Sequence, residues 1–427
     1  MRKQSLLILF MVLCVCLALI FWSRTLTAEA PLPVYVYDIG RLLALVVFLF
    51  ILFQYVLISK VKWIEKGLGL NRLLILHKIL GLLLIIAAPL HPVLLLLSER
   101  LQGYSTPMSL WKFLGLLALL LIWVGAGAAL LYGRTPLKYE TWKRIHKVGY
   151  AVFPLAFFHS TLMGSTLQKS PMRIFWLILG LIYVLILFEN IRQRFALRKH
   201  PFKVTGVHQE TQDTWTLRFE GDYGTYAPGQ FMLLQLERNG KTSEPHPFTI
   251  VSAPTRTDLA VCIKEVGDFT SDIGKTRPTD TAYIEMPYGV FSFQHMEADR
   301  LVFIAGGIGI TPFMSMLRTL YDKNLEKEVI LLWGNKTEKD IVFRDELDEM
   351  ASEMHSLKVL HVLSRQDDWP GQRGHIDGGL LTKVVGDFQG REFFICGPPP
   401  MMDAVETILI DLGASKKRIH TERFALR

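Results

Sequence analysis

Four of the 12 histidines, His77, His91, His146 and His159, lie inside long apolar runs, where an imidazole is costly and usually functional. They form two pairs, His77 and His91 14 residues apart, His146 and His159 13 residues apart. On helices these spacings rise about 21 Å and about 20 Å, so the two pairs can face each other at two matched depths. Two tiers of paired neutral imidazoles suit two haems, each iron held axially by one ring from each helix. Phase favours the first helix over the second: 14 residues return within about 40° of the starting face, while 13 land about 140° away. Pro154 lies between His146 and His159, and a proline kink would re-aim the second ring. The alternative is four histidines bonded only to neighbouring backbone or water.

A second set of reactive residue types lies after residue 200. His246-Pro247-Phe248-Thr249 follows a turn and reads as strand. An aromatic ring there can stack on a flavin, and the Thr249 hydroxyl can bond the isoalloxazine edge. About twenty residues on comes Lys264-Glu265-Val266-Gly267-Asp268-Phe269-Thr270. Gly267 allows close backbone approach, the amides opening the next short helix would meet a pyrophosphate, and Lys264 adds charge. A plain capped helix start is the competing reading.

The nucleotide signal is sharper. A buried strand, Leu301 to Ala305, runs into Gly306-Gly307-Ile308-Gly309-Ile310-Thr311-Pro312. Gly307 and Gly309 let the chain turn tightly against a diphosphate. Thr311 reads as N-cap and Pro312 as first helical residue, so the helix dipole points at the phosphates. Lys336 after the next strand, and Ser364-Arg365 after the one beyond, lean towards a 2′-phosphate and so NADPH, with NADH possible. Phe393 to Cys396 is a strand ending in Gly397-Pro398-Pro399, which places Cys396 where it can touch a nicotinamide. A buried inert thiol is the default for a lone cysteine.

The elements that must position these residues follow from composition. Residues 1–200 carry 22 Lys/Arg and 6 Asp/Glu; residues 201–427 carry 25 and 33. The basic half is also the apolar half, the pattern of a membrane domain, and no nucleic-acid-binding pattern appears in it. Cys14, Cys16, Cys262 and Cys396 form no CxxC pair, which argues against structural zinc or iron–sulfur. Six apolar stretches, 5–22, 41–59, 70–97, 111–132, 146–167 and 172–190, approach the roughly 20 residues needed to span a bilayer. Sixteen of the 22 cations, Lys60, Lys62 and Lys66 among them, fall on alternate ends, so the positive-inside rule places both termini in the cytoplasm of a multi-pass plasma-membrane protein. The first stretch is read as a retained span rather than a cleaved signal peptide. Arg41 opens the second span on the outer side, as an anion partner or a snorkelling anchor. Three domains are expected: a six-helix membrane bundle over 1–195, an antiparallel FAD-binding β-barrel over 200–297, and an α/β nucleotide-binding domain over 298–427.

Taken together, the two histidine spacings, His246-Pro247-Phe248-Thr249, Gly267-Asp268-Phe269-Thr270, Gly307-Ile308-Gly309-Ile310-Thr311-Pro312, Cys396-Gly397-Pro398-Pro399 and Glu422-Arg423-Phe424 resemble the NADPH oxidase / ferric reductase superfamily, most closely its compact bacterial NADPH oxidase branch. The resemblance implies a six-helix domain with two b-type haems and a ferredoxin-NADP reductase-like module for FAD and NADPH. It pairs His77 with His146 on an inner haem and His91 with His159 on an outer one. It puts Phe248 and Thr249 on the flavin, His246 near its diphosphate, and Phe424 over the isoalloxazine face. The chain departs from the animal oxidases in three ways: Ala425-Leu426-Arg427 follow Phe424, Leu95 stands where an outer histidine would follow His91, and no EF-hand or proline-rich tail appears. The implied activity is NADPH oxidation with electrons delivered across the membrane to O2, giving superoxide, without an obligatory activating subunit. Ferric-chelate reduction for iron uptake, and electron delivery to an extracytoplasmic redox protein, are the alternatives.

Overall fold

The computed structural model describes residues 2–423 except 60, 62, 63, 65–67, 133, 136 and 169. Phe424, and Lys60, Lys62 and Lys66 of the charge pattern, lie outside the described residues. The chain forms two compact units, residues 1–195 and 196–427.

The first unit is helical: α1 Arg2–Ser23, α2 Leu32–Leu57, α3 Leu70–Leu101, α4 Leu110–Leu131, α5 Tyr139–His146, α6 Val152–Met163 and α7 Ser170–Lys199. Its packing centres on α2, where Phe48, Leu49, Leu52 and Phe53 are buried and Phe48 stacks on Trp176 with centroids 4.3 Å apart. Large apolar side chains cover the outside, with Ile86 65%, Leu110 63% and Leu181 58% exposed. That much exposed hydrocarbon on neighbouring helices fits lipid as the surrounding solvent rather than water.

Among the described residues, five helices are long and apolar enough to cross a membrane. The expected span over 146–167 is not a single helix. It consists of α5, a 3₁₀ segment Lys147–Ala151, and α6. Pro154 is the third residue of α6, a first-turn position where its missing N–H is tolerated. The proline therefore does not act as a mid-helix kink; the winding changes just before it.

The second unit begins with an antiparallel sheet, order β4-β3-β7-β1-β2-β6, with β5 on β3. Its strands are β1 Phe202–Thr211, β2 Thr214–Glu220, β3 Phe231–Arg238, β4 Lys241–Thr242, β5 His246–Thr249, β6 Leu259–Lys264 and β7 Thr281–Tyr288. A parallel sheet follows, order β11-β10-β9-β8-β12-β13, from β8 Arg300–Gly306, β9 Glu328–Asn335, β10 Leu357–Leu363, β11 Gln372–Arg373, β12 Glu392–Cys396 and β13 Ile419–Glu422. Helices α8 Thr311–Asp322 and α9 Arg344–Glu353 cover one face, and α10 Gly378–Val385 and α11 Pro399–Asp411 the other.

One apolar core joins the two sheets: Val251, Ala260, Cys262 and Phe291 of the antiparallel lobe pack with Phe303, Phe313, Phe394 and Cys396 of the parallel lobe. A part-buried ion pair reinforces the joint. Arg318 of α8 donates to both Glu346 carboxylate oxygens, at 2.8 and 2.5 Å, and to the Val251 carbonyl at 2.6 Å. Arg256 reaches the same Glu346 at 3.1 Å and Asp322 at 3.1 Å. Burial raises the Glu346 carboxyl, but the two guanidiniums outweigh it and hold the group below its ordinary range.

His361 of β10 packs against Trp333 with centroids 5.5 Å apart and has no hydrogen-bond partner on either ring nitrogen. Burial holds its pKa below the ordinary 6.5, against the pull of Asp348 and with Arg344 adding to the effect. A depressed histidine pKa favours the neutral ring in the folded state, so its stabilising share is complete above pH 6.5 and is lost as pH falls through the folded value. The protection factors of β10 amides in the full chain, their exchange rates taken relative to the intrinsic rate at each pH, should fall below pH 6.5, and His361→Leu should flatten that dependence.

Candidate functional site

In the helical unit the two histidine pairs meet. The His77 and His146 ring centroids are 6.0 Å apart with planes at 76°, and those of His91 and His159 are 6.3 Å apart at 70°. With metal–imidazole bonds of about 2.0–2.1 Å, two rings on opposite sides of one metal have centroids about 6.3 Å apart. Among the described residues, no group of three or more His, Cys, Asp or Glu is placed to hold a metal ion. A pair of imidazoles supplies two ligands, which suits a metal whose other positions are filled by its own macrocycle.

Each ring is oriented from behind by main chain. His91 Nδ1 bonds the Gly40 carbonyl at 3.0 Å, His146 Nδ1 the Gly125 carbonyl at 3.0 Å, and His159 Nδ1 the Trp111 carbonyl at 2.8 Å. A carbonyl only accepts, so these Nδ1 atoms carry the proton and leave Nε2 with its lone pair, the usual state of a ligating imidazole. His77 lies against the Gln54 backbone, with no hydrogen-bond partner on Nδ1 at standard geometry. Gly115 makes room for the His159 ring, since a Cβ there would lie 2.7 Å from His159 Nδ1.

The spacing of these partners repeats. Gly40 and Gln54 on α2, His77 and His91 on α3, and Trp111 and Gly125 on α4 are each 14 residues apart. Only His146 and His159 are 13 apart. The 3₁₀ segment makes up the difference: five residues at about 120° instead of about 100° add roughly 100° of turn. That shifts His159 from about 140° off the His146 face to about 40°, the same phase as a 14-residue α-helical interval. The rise becomes about 22 Å against about 21 Å. Local overwinding thus achieves what a proline kink was expected to do.

Arg41 is neither a free anion partner nor a snorkelling end. It donates to Asp38 at 2.7 Å, to Thr25 at 2.6 Å and to Thr166 at 2.6 Å, which ties the turn between α1 and α2, and the first half of α2, to the 3₁₀ turn Ser165–Gln168. That tie anchors the backbone from which the adjacent Gly40 carbonyl reaches His91.

In the second unit, β5 pairs with β3 and brings Phe248 and the buried Thr249 opposite Met232 and Phe231. Phe269 folds back over this strand, its ring 4.0 Å from His246 at 13° and 6.0 Å from Phe248. Pro247 lies between the two on the same strand. The Gly267 loop is closed by Thr270, whose hydroxyl accepts the Val266 and Gly267 amides, each at 2.9 Å. Those two amides are therefore committed within the loop, and a 3₁₀ turn starting at Thr270 follows Asp268 and Phe269. Lys264 is partly neutralised, at 3.0 Å from Asp213 and 3.9 Å from Asp340.

The turn after β8 differs in detail from expectation. Gly307–Ile310 wind as a 3₁₀ turn that merges into α8, so Thr311 opens the helix rather than capping it, and Pro312 is its second residue. The Thr311 hydroxyl donates to the Ile308 carbonyl at 3.1 Å. Gly307 has φ +53°, and a Cβ at Gly309 would lie 2.2 Å from the Cys396 carbonyl oxygen. A Cβ on Gly397 would lie 3.0 Å from Gly306 Cα. The β8 and β12 turns thus touch backbone to backbone, with Pro398 packed against Gly306. The Cys396 thiol is fully buried, and burial pushes its pKa well up, with Glu422 adding to the effect.

Lys336 and Arg365 are exposed and lie on adjacent turns, since Arg365 N–H donates to the Lys336 carbonyl at 2.9 Å and Ser364 N–H to the Asn335 carbonyl at 3.0 Å. Asn335 was not singled out from sequence. It is 6% exposed, and neither its amide oxygen nor its nitrogen has a hydrogen-bond partner, an arrangement in which a buried polar group awaits a ligand or water. A polar residue closing an apolar strand was the available signal.

Comparison with known proteins agrees with this division. Residues 43–157 match the ferric reductase like transmembrane component, 211–292 an FAD-binding domain and 303–407 the oxidoreductase NAD-binding domain. The chain is 33% identical over 245 residues to the glycine betaine monooxygenase reductase subunit of Pseudomonas aeruginosa, covering 54% of this chain and 66% of that protein. It is 33% identical over 208 residues to the sulfhydrogenase 2 subunit gamma of Pyrococcus furiosus, covering 46% and 71%. Among solved structures, a flavohemoglobin from Malassezia yamatoensis with bound FAD and heme superposes with TM-score 0.50 at 20% identity, covering 79% of this chain and 86% of that one, a likeness of fold alone. By this architecture, a ferric reductase like transmembrane component followed by FAD- and NAD-binding domains, the chain belongs to the NADPH oxidase / ferric reductase superfamily.

Proposed function

We propose that the chain is a transmembrane NADPH oxidoreductase that uses FAD and two b-type haems to deliver electrons to an acceptor on the outer face, O2 in the first place, giving superoxide. The observation that carries this reading is the two facing imidazole pairs, with centroids 6.0 and 6.3 Å apart, three of the four rings lying within the ferric reductase like segment 43–157 and His159 two residues beyond it. When bound, FAD would accept one hydride, carrying two electrons, from nicotinamide and release the electrons singly, and each haem would carry one at a time.

The chain's own residues have distinct parts in this. His77 with His146, and His91 with His159, hold the two irons, and the Gly40, Gly125 and Trp111 carbonyls keep three of the four rings in the ligating tautomer. Phe248 and Thr249 line the flavin, with His246 and the amides from Asp268 onward at its diphosphate. The touching turns at Gly307, Gly309 and Gly397 form the floor for the dinucleotide, and Lys336, Ser364 and Arg365 receive its 2′-phosphate. Phe424 shields the flavin face, and the buried, protonated Cys396 supplies a wall to the nicotinamide pocket rather than a nucleophile. The composite α5–α6 rod makes the sixth crossing of the plasma membrane, with both termini cytoplasmic. That a monooxygenase reductase subunit is among the relatives supports the second unit as an electron-supplying module.

Ferric-chelate reduction is the second reading, favoured by the match to the ferric reductase like component. Purified protein should reduce cytochrome c in a dismutase-sensitive way without added Ca²⁺ or a second subunit. Fully dismutase-insensitive NADPH consumption, with steady Fe(II) formation under anaerobiosis, would instead establish the ferric reading.

His91→Leu should lose one of two haems per chain and abolish outward electron flow, while NADPH-to-flavin reduction stays nearly intact. Gly309→Ala should act on the other half. Its Cβ meets main chain that cannot move aside, so stopped-flow flavin reduction should need at least about tenfold more NADPH, roughly 1.4 kcal/mol of binding, with haem content unchanged.

A further inference from the structure

The overwound turn Lys147–Ala151 contains no proline or glycine pair of its own, and its 3₁₀ hydrogen bonds have poorer geometry than α-helical ones. What holds it comes from other helices. Tyr55 of α2, 6% exposed, donates its hydroxyl to the Gly149 carbonyl, and the Phe153 backbone lies against the same hydroxyl. In an α-helix the Gly149 carbonyl would accept the Phe153 amide, so the Tyr55 hydroxyl is inserted where that bond would be. Tyr183 of α7, 7% exposed, donates to the Tyr150 carbonyl at 2.8 Å. The α-helical donor to that carbonyl would be the amide of residue 154, which is proline and has none. The two phenol rings pack edge to face at 5.0 Å, and Tyr183 stacks on Phe153 at 4.3 Å. The Gly149 carbonyl keeps its 3₁₀ bond from the Val152 amide, and with no water in hydrocarbon the two hydroxyls stand in for the α-helical donors these carbonyls lack.

We propose that Tyr55 and Tyr183 are positioning residues that lock the overwound turn and thereby set the angular phase of His159 relative to His146. The inference rests on the haem reading above. The lock works on phase: without it, the chain between the two histidines relaxes to α-helical winding and His159 turns about 100° out of the site.

The test uses the purified full chain, with haem stoichiometry and low-temperature EPR of the oxidised protein as readouts. Tyr55→Phe/Pro154→Ala/Tyr183→Phe removes both hydroxyls and restores an amide donor at position 154, so that no carbonyl is left stranded. This variant should lose the outer haem and its EPR signal and retain the inner one. Pro154→Ala alone, with both hydroxyls in place, should keep both. Inserting one alanine after Ala151 in the triple variant makes the interval 14 residues and should bring the outer haem back, which a merely structural role for the tyrosines would not do. Two haems with unchanged EPR signals in the triple variant would overturn the inference, as would equal loss of both haems or no recovery on insertion. An unaltered chain with no Soret absorption would instead overturn the haem reading itself.

Discussion

An α-helix turns about 100° per residue, and two side chains can serve one line of sites only at intervals that return to the same face. The helical unit is organised around that constraint. Four rods present their functional atoms at two levels: carbonyls on α2 and α4, imidazoles on α3 and on the composite rod. Three of the four use a 14-residue interval. The fourth is one residue short, and the shortfall is absorbed by a turn wound more tightly than its neighbours. Matching phase also matches depth, because 3₁₀ winding lengthens a helix as it twists it. The crowding at Gly115 and the tie at Arg41 both serve to keep those levels fixed.

The second unit meets a different requirement, which is to bring two lobes close enough for a flavin and a nicotinamide to meet. A shared apolar core and the Arg318–Glu346 pair fasten one lobe to the helix that begins beside the Gly307 turn. Removing Glu346 would leave the largely buried Arg318 guanidinium without its carboxylate partner. On the other side, glycines let the β8 and β12 turns press main chain against main chain, so the floor of the nucleotide site contains almost nothing that can shift.

The sequence made the reactive residues legible and left much of their control unread. Histidine spacing, the glycine-rich turn and the strand carrying Phe248 and Thr249 are local patterns, and local patterns survive without coordinates. The break within 146–167 is not local, because its cause lies at Tyr55 and Tyr183, on two other helices. Thr311 looks like a cap from its neighbours in sequence, but the four residues before it coil tightly and carry the helix start past it. Lys264 reads as a free cation until Asp213 and Asp340, one about fifty and the other about eighty residues away in the chain, are seen beside it. Asn335 gave no signal beyond its polarity, since burial belongs to the fold.

Helix α4 contributes no ligand at all, only the oxygens of Trp111 and Gly125. Those atoms belong to every amino acid alike. Apart from the glycine that clears room at 115 and the inward-packed Ala118, Leu119, Leu121 and Ile122, its side chains face outward and answer to the surrounding lipid. The outward face of this rod can therefore change from one membrane to another while the backing of the paired imidazoles beside it keeps the same shape.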